Sequence, residues 1–532
     1  MDSILTRVVP MTPGSTLREL PVNLPTVEVK TSLEGSVSPN LTGWWVAVLV
    51  LTLLTLILRF SAINSQSFWY DEAVSAEISK SSYADLIHGR AKDNGNPPLH
   101  SICTKAWSGL FGRSEIGFRS FSAVCGVLTV PLLALLGRRL LGSGVGLLAA
   151  GLLTISPLHI ELSNEARTYA LLHLLAVLNM WFFVVWVQRR RRIDLILCGM
   201  TAALCWYTHY YAPALQMSQG IALISLPRLR KLLIPWIVSM LGAILLWSPC
   251  LPVLVQQLRT PDNLERVPGE SWVMQFLATP ITFGLGRTFA WRDSPTWLLG
   301  LAALGVLVTL LCPVAVGIAH NRPRFAVVLL SGWFLIPILG PLVVAALGKP
   351  IYSHRYASIG LPAFLLIAAL GMEQFRCSWR ATLLGLLVAL SSISLFQYAT
   401  KPLRDDWRSA AGSILAGLDG GELILFDKPI EIFTFRYYAS KYGQMPAKMI
   451  GLKPGPDGNK TLFGNGYRRG DRIDQESRDY SAEIESASGL WLALCLPVAP
   501  PDRYESEFER LGFKLVDRQF FHRVSVLHFK KS

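Results

Sequence analysis

The sequence predicts a polytopic α-helical membrane protein with a C-terminal soluble α/β domain, and three observations carry that expectation. Of its 532 residues, 51% are hydrophobic and only 16% charged, and the mean hydropathy is +0.39; soluble chains carry about a quarter charged residues. Apolar runs of about 20 residues, each long enough to cross a bilayer as a helix, recur as far as residue 398. Beyond it the chain turns polar, and short β-rich runs alternate with helical stretches, the pattern of a small α/β domain.

Taken in order, residues 1–42 are polar and proline-containing with no early apolar core, so they read as a disordered cytoplasmic tail and not as a signal peptide. The expected spans are Gly43–Phe60, Gly117–Gly137, Ser143–Leu162, Thr168–Val187, Ile193–Tyr211, Pro213–Leu226, Leu232–Val255, Thr296–Ile318, Phe325–Leu347, Tyr356–Met372 and Ala381–Tyr398, about eleven in a membrane domain over 43–398. Residues 61–116 form an outer loop. Within it Pro98–Phe111 is amphipathic and reads as an interfacial or re-entrant helix that does not cross.

The charge of +14 gathers in short clusters: Arg138-Arg139, Arg189 to Arg192, Arg228-Leu229-Arg230-Lys231, Arg322-Pro323-Arg324, and Arg376 with Arg380. With the N-terminus inside, all of them face the cytoplasm, as positive-inside topology requires. If Pro98–Phe111 crossed, they would face out. Basic residues placed this way exclude a nucleic-acid surface. Five of the eight cysteines, Cys125, Cys198, Cys205, Cys250 and Cys312, lie in apolar runs, and no CxxC or Cys/His spacing appears, so neither a disulfide framework nor a zinc site is expected.

The same topology puts the polar motifs on the outer side: Trp69-Tyr70-Asp71-Glu72, Asp93 to His100, Asn164-Glu165-Ala166-Arg167-Thr168-Tyr169, His209-Tyr210-Tyr211, and His354-Arg355-Tyr356. Functional groups gathered at one membrane face make a site. A carboxylate such as Asp71 or Glu72 there serves as a general base or an oxygen ligand for a divalent cation, or is simply a solvated loop acid. Pro97-Pro98 fixes an extended backbone and then admits a helix; Asp93, Asn94 and Asn96 read as pocket-lining groups or as turn formers. Arg167 and Arg355 suit a phosphate, or snorkel. His209 and His354 are ionisable groups near span ends; Tyr210 and Tyr211 belong to a pocket or to an interfacial belt. No nucleotide-binding loop, nucleophile elbow or zinc-protease helix is present.

After residue 398, Leu423-Ile424-Leu425-Phe426 and Leu490-Trp491-Leu492-Ala493-Leu494 read as strands, Asp405-Asp406-Trp407-Arg408 opens a helix, Glu505 to Arg510 belongs to another, and Phe520 to Phe529 reads as a final strand. Lys453 to Asp479, rich in Gly, Pro and charge, reads as a long loop.

The ordered motifs resemble those of the GT-C membrane glycosyltransferases, in particular the bacterial group similar to protein O-mannosyltransferases and lipid A aminoarabinose transferases. Trp69-Tyr70-Asp71-Glu72 resembles the family's aromatic-Asp-Glu loop, and Asn96-Pro97-Pro98-Leu99 its His/Lys-Pro-Pro-Leu element. Phe111-Gly112-Arg113-Ser114-Glu115 with Arg119, Ser163 to Tyr169, Arg355-Tyr356 and Asp406-Trp407-Arg408 are similar to its later motifs. The resemblance spans about residues 43–440 and implies an inverting hexosyl- or pentosyltransferase using a polyprenyl-phosphate sugar at the extracytoplasmic face of the plasma membrane, with a lipid, glycan or protein acceptor. It implies Asp71 and Glu72 as catalytic residues. Donor phosphate and substrate would meet Asp93, Asn96, His100, Glu165, Arg167, Tyr169, His209, His354, Arg355 and Tyr356, and a divalent cation, if used, Asp71 and Glu165. Asn96 departs from the family's cation at that position. A transporter of a lipid-linked or anionic substrate, and a non-catalytic envelope assembly protein working through residues 399–532, are the alternative classes.

Overall fold

The structure is a computed structural model that describes residues 41–88, 96–259, 272–287, 296–319, 324–346, 351–446, 448–452, 463–468, 478–495 and 501–532. Its first helix, α1 (Leu41–Ser61), leads into three short helices, α2 (Tyr70–Ile78), α3 (Tyr83–Ile87) and α4 (Leu99–Phe111). The bundle continues with α5 (Glu115–Leu141), α6 (Ser143–Ile155), α7 (Pro157–Ser163), α8 (Tyr169–Arg189), α9 (Arg192–Trp206), α10 (Pro213–Ser225), α11 (Leu233–Trp247), α12 (Leu251–Arg259) and α13 (Trp272–Leu285). It closes with α14 (Thr296–Val306), α15 (Cys312–Ala319), α16 (Arg324–Ala346), α17 (His354–Ala357), α18 (Leu361–Met372) and α19 (Cys377–Thr400).

Among the described residues eight helical stretches are long and apolar enough to cross a membrane, and α6 with α7 makes a ninth if that pair, bent by 62°, counts as one. The bend has a local cause. Pro157 has no N–H to continue α6, and Ser156 caps the new start by accepting from the His159 N–H at 3.4 Å. Helices also occur where the other two spans are expected, but α9 and α10, at 15 and 13 residues, are shorter; at about 1.5 Å per residue they reach about 20 Å. The apolar stretches of α8 and α18 are 78% and 89% buried, against 17% for α1, so α8 and α18 form the centre and α1 faces lipid. A Cβ on Gly146 would sit 2.4 Å from the Ala134 carbonyl, so a glycine is what lets α6 lie against α5. Residues 272–285 were not among the expected spans. Pro280 interrupts that run, yet α13 forms and delivers Gly286 and Arg287 to the site described below.

The soluble part holds α20 (Trp407–Gly417), β1 (Leu423–Phe426), α21 (Glu431–Lys441), β2 (Lys448–Leu452), β3 (Phe463–Arg468), β4 (Arg478–Asp479), α22 (Ser481–Glu485), β5 (Gly489–Cys495), α23 (Pro501–Arg510), β6 (Phe513–Phe521) and β7 (Val524–Lys531). The strands make one sheet in the order β4-β3-β2-β1-β5-β7-β6, with β1 parallel to both β2 and β5. Ile424 and Phe426 pack on α20 and α21, while Leu423 and Leu425 pack on α22 and α23, as the period-two alternation of a doubly covered strand demands. Phe68, Phe118 and Ala166 join the α20/α21 layer, so this layer seats the sheet on the membrane domain.

Two expectations for this region change. The stretch read as one final strand is the hairpin β6–β7. It turns at His522-Arg523, where Arg523 takes φ of 59°, a left-handed geometry with no Asn-Gly signal to announce it. The stretch 453–479 contains β3, whose two glycines hide it, and the two-residue β4; the remainder of it lies outside the described residues.

Candidate functional site

The site grows from the first turn of α2. Trp69 is its N-cap residue, and its carbonyl accepts from the Glu72 N–H at 3.0 Å. Adjacent helical residues point about 100° apart, so the Asp71 and Glu72 side chains diverge. Glu72 enters the protein and is fully buried. Its carboxylate takes two parallel bonds from Arg119, Nε to Oε1 at 2.8 Å and an Nη to Oε2 at 2.7 Å. It also accepts from the Ala166 N–H at 2.9 Å and from Arg404 at 2.5 Å. Arg119 donates further to the carbonyls of Ile63, Gln66 and Ser67, so one guanidinium fixes the entry to the loop and Glu72 together.

Asp71 points the other way, with its side chain 22% exposed. Its nearest cation is Arg167, whose Nε lies 3.7 Å from Oδ2, and an Arg167 N–H donates to the Asp71 carbonyl at 3.4 Å. The two sequence-adjacent acids thus have separate environments, one locked by two arginines and a backbone amide, the other beside one arginine and open on one side.

Around Arg167 stand His100, buried on α4, and His209, buried between α9 and α10. Burial, then the Arg167 charge, pushes each imidazole down to about 3. The Tyr211 N–H donates to His209 Nδ1 at 3.1 Å, and the His209, Tyr169, Tyr211 and Tyr356 rings form one aromatic group with centroids 5.0–6.4 Å apart. Tyr356 and Tyr169 lie close enough to Asp71 to feel its charge. Tyr210 and Tyr211 have specific partners, Gln257 Oε1 at 2.6 Å and the Ile351 carbonyl at 2.8 Å. Asn96 is buried and its carbonyl accepts from Gln257 at 3.5 Å, while the Leu99 N–H anchors α4 to the Tyr207 carbonyl at 3.0 Å. Asp93 and Asn94 lie outside the described residues.

Glu165 heads a second group. Burial alone would raise its carboxyl, but Arg287, Arg355 and Arg404 hold it well below the usual carboxylate range. Arg404 donates to its Oε1 at 2.8 Å and Arg287 pairs with the same oxygen. Arg287 also reaches Glu161 at 3.1 Å. Gly286 makes this possible: its φ is +74°, and a Cβ there would fall 2.2 Å from a Glu161 oxygen. His354 is near Glu165, Arg287 and Arg355, with both ring nitrogens buried and without a hydrogen-bond partner.

Arg355 differs from the other arginines. Its guanidinium stacks over Trp69, 4.3 Å from the ring centroid, and among the described residues no carboxylate lies within ion-pair distance of it. Among the described residues five arginines (119, 167, 287, 355, 404) meet four carboxylates (71, 72, 161, 165), an excess of one positive charge. The surroundings of Asp71 and Glu165 do not suit a divalent cation, because the ion-pair partners of both carboxylates among the described residues are arginines.

Glu161, Arg287 and Arg404 were not among the residues expected here. Arg404 sits beside the recognised Asp406-Trp407-Arg408 stretch, a signal that could have found it; Arg287, after an interrupted apolar run, had none. Glu115 has a purely joining geometry: its carboxylate receives Arg408 at 2.8 Å, the Tyr438 hydroxyl at 2.7 Å and Lys441 at 3.2 Å, tying the soluble domain to the start of α5.

The architecture, a polytopic helical bundle joined to an α/β domain, is shared by solved structures. The chain matches ArnT from Cupriavidus metallidurans in the apo state with a TM-score of 0.59 at 14% identity, over 92% of this chain and 98% of that one. ArnT bound to undecaprenyl phosphate matches with a TM-score of 0.58 at the same identity and coverages. An oligosaccharyltransferase from Archaeoglobus fulgidus aligns with a TM-score of 0.48 at 13% identity, over 74% of this chain and 64% of that one. Residues 95–254 match the family described as dolichyl-phosphate-mannose-protein mannosyltransferase. No curated protein sequence matches the chain. The chain thus has the fold of these membrane proteins, and its segment 95–254 is similar to that mannosyltransferase family.

Proposed function

We propose that this protein transfers a sugar from a polyprenyl-phosphate donor to an acceptor hydroxyl at the extracytoplasmic membrane face, with inversion at the anomeric carbon. The observation that carries the reading is the unequal pair: Glu72 bound on every side, and Asp71 open, beside Arg167 and near the stacked, carboxylate-free Arg355. The undecaprenyl phosphate bound by a structure of the same fold supports a lipid-phosphate donor.

In this reading the acceptor hydroxyl gives its proton to the Asp71 carboxylate as its oxygen attacks the anomeric carbon. The bond from that carbon to the phosphate oxygen breaks, and polyprenyl phosphate departs with the electron pair. Arg355 and Arg167 compensate the charge on the leaving phosphate. Glu72 touches no reacting atom; it holds Arg119 and Arg404 and so sets the position of α2. The neutral His100 and His209 and the tyrosine rings pack around Arg167 and Asp71. The basic ends of α5 and α8, Arg138-Arg139 and Arg189, lie a helix length from the Asp71 end, which supports a cytoplasmic placement for them.

The test is release of polyprenyl phosphate from a labelled polyprenyl-phosphate sugar by the purified protein. Release that requires Asp71 is the expected result. Donor movement across vesicles without cleavage indicates a transporter, and neither activity an assembly role.

A further inference from the structure

Outside the arginine-rich site, the soluble domain gathers a second set of reactive side chains. Asp405, in the connection between α19 and α20, Glu431, the first residue of α21, and Cys495, the last of β5, each offer a ligand atom, and these atoms lie within 4.8 Å of one another. Asp427, which follows β1, adjoins them: its Oδ1 accepts from the Cys495 N–H at 3.0 Å. Glu431 is 4% exposed and Asp427 7%, and each keeps one carboxylate oxygen, Oε2 and Oδ2, buried without a hydrogen-bond partner. His522 Nε2, whose ring lies near Asp405, is buried and unpartnered too.

The location is independent support. Strands β1 and β5 are parallel neighbours, and the chain leaves β1 toward β2 on one side while β5 lies on the other. Their carboxyl ends flank a topological switch point, where open α/β sheets bind ligands. Asp427, Glu431 and Cys495 all stand at those ends.

We infer that Asp405, Glu431 and Cys495, with Asp427 beside them, form a binding site for a divalent transition ion of the zinc type. Thiolate sulfur with carboxylate oxygen is a donor set such ions accept, whereas magnesium and calcium take oxygen alone. A tetrahedral zinc spaces its ligand atoms about 3.5 Å apart, so atoms within 4.8 Å of one another need to contract by at most about 1.3 Å. The unpartnered oxygens are what a cation would satisfy. The cations near the cluster are Lys428, whose Nζ donates to the Cys495 carbonyl at 2.5 Å, and Arg523, which lies near Asp405.

The site has a structural consequence. Asp405 is next in sequence to Arg404, which holds both Glu72 and Glu165. An ion on Asp405 ties that connection to the sheet and fixes Arg404 from behind. Asp405 is a positioning residue in this sense, through Arg404.

The test uses the full-length protein in detergent, stripped with a chelator and titrated with Co²⁺ and Zn²⁺. Expected are one Co²⁺ per chain with a thiolate-to-cobalt charge-transfer band, loss of that band in Cys495→Ser, and an affinity lowered about tenfold or more in Glu431→Gln. Zn²⁺ should raise the melting temperature of the wild type and not of Glu431→Gln. No thiolate band, or a band unchanged in Cys495→Ser, overturns the inference. If Cys495→Ser does not fold, Glu431→Gln decides alone, and an unchanged affinity there overturns it equally.

Discussion

Replacing Glu72 by Gln separates the roles of the two neighbouring acids. The substitution keeps shape and volume but removes the charge between two guanidiniums whose side chains are 1% and 10% exposed. One carboxylate oxygen becomes an amide nitrogen facing donors, and Arg119 and Arg404 lose a shared counter-charge. Breaking a buried pair costs about 3–5 kcal/mol. Arg119 keeps three carbonyl acceptors and Arg404 keeps Glu165, so the lower end, about 3 kcal/mol, is expected. The Asp71→Asn change removes a carboxylate that is partly exposed and makes one long ion pair, so its effect on stability is within about 1 kcal/mol. Thermal unfolding of both variants in detergent, beside the sugar-transfer assay, reads the difference. Glu72→Gln should melt several degrees lower. A Glu72→Gln protein as stable as wild type but inactive would refute the assignment of Glu72 to positioning and put it among the reacting groups.

Asp71→Asn should lower turnover by about 10²–10⁴-fold while melting like the wild type; near-normal transfer removes Asp71 from the mechanism. Arg355→Lys keeps the charge but loses the planar stack on Trp69 and the two-pronged grip on phosphate, so the KM for the lipid donor should rise about tenfold with little change in melting temperature. Gly286→Ala places a methyl against Glu161 at a left-handed backbone position, costs about 1–3 kcal/mol and displaces Arg287; a variant as stable and active as wild type contradicts the role given to that turn. His100 and His209 are neutral when folded, with values near 3 against 6.5 unfolded, so the unfolded chain binds more protons below pH 6.5. The stability they support is present above pH 6.5 and is lost as pH falls toward 3, amounting to about 2 kcal/mol for the pair between pH 7 and 5.5. Melting curves across that range should show the fall, and a His100→Gln, His209→Gln double variant should flatten it.

The sequence by itself determined the membrane class, most of the helices, the polar loop after the first span and the change to an α/β domain, because hydropathy and strand alternation are local properties. It also placed Asp71, Arg167, His209, Arg355 and Tyr356 at one membrane face, since topology follows from span order and basic clusters. Local pattern could not assign different fates to Asp71 and Glu72: only the packing of α2 against Arg119, Ala166 and Arg404 turns one inward and leaves the other open. Nor could it find Arg287, brought in by a proline-interrupted helix, or pair Arg404, which a recognised stretch adjoins, with Glu72 and Glu165, hundreds of residues earlier. The cysteine reading shows the same limit: no ligand spacing exists along the chain, yet the sheet brings Asp405, Glu431 and Cys495 together. Contacts between residues far apart in sequence depend on how faces are covered and in which order strands pair, and those are decided by the assembled fold.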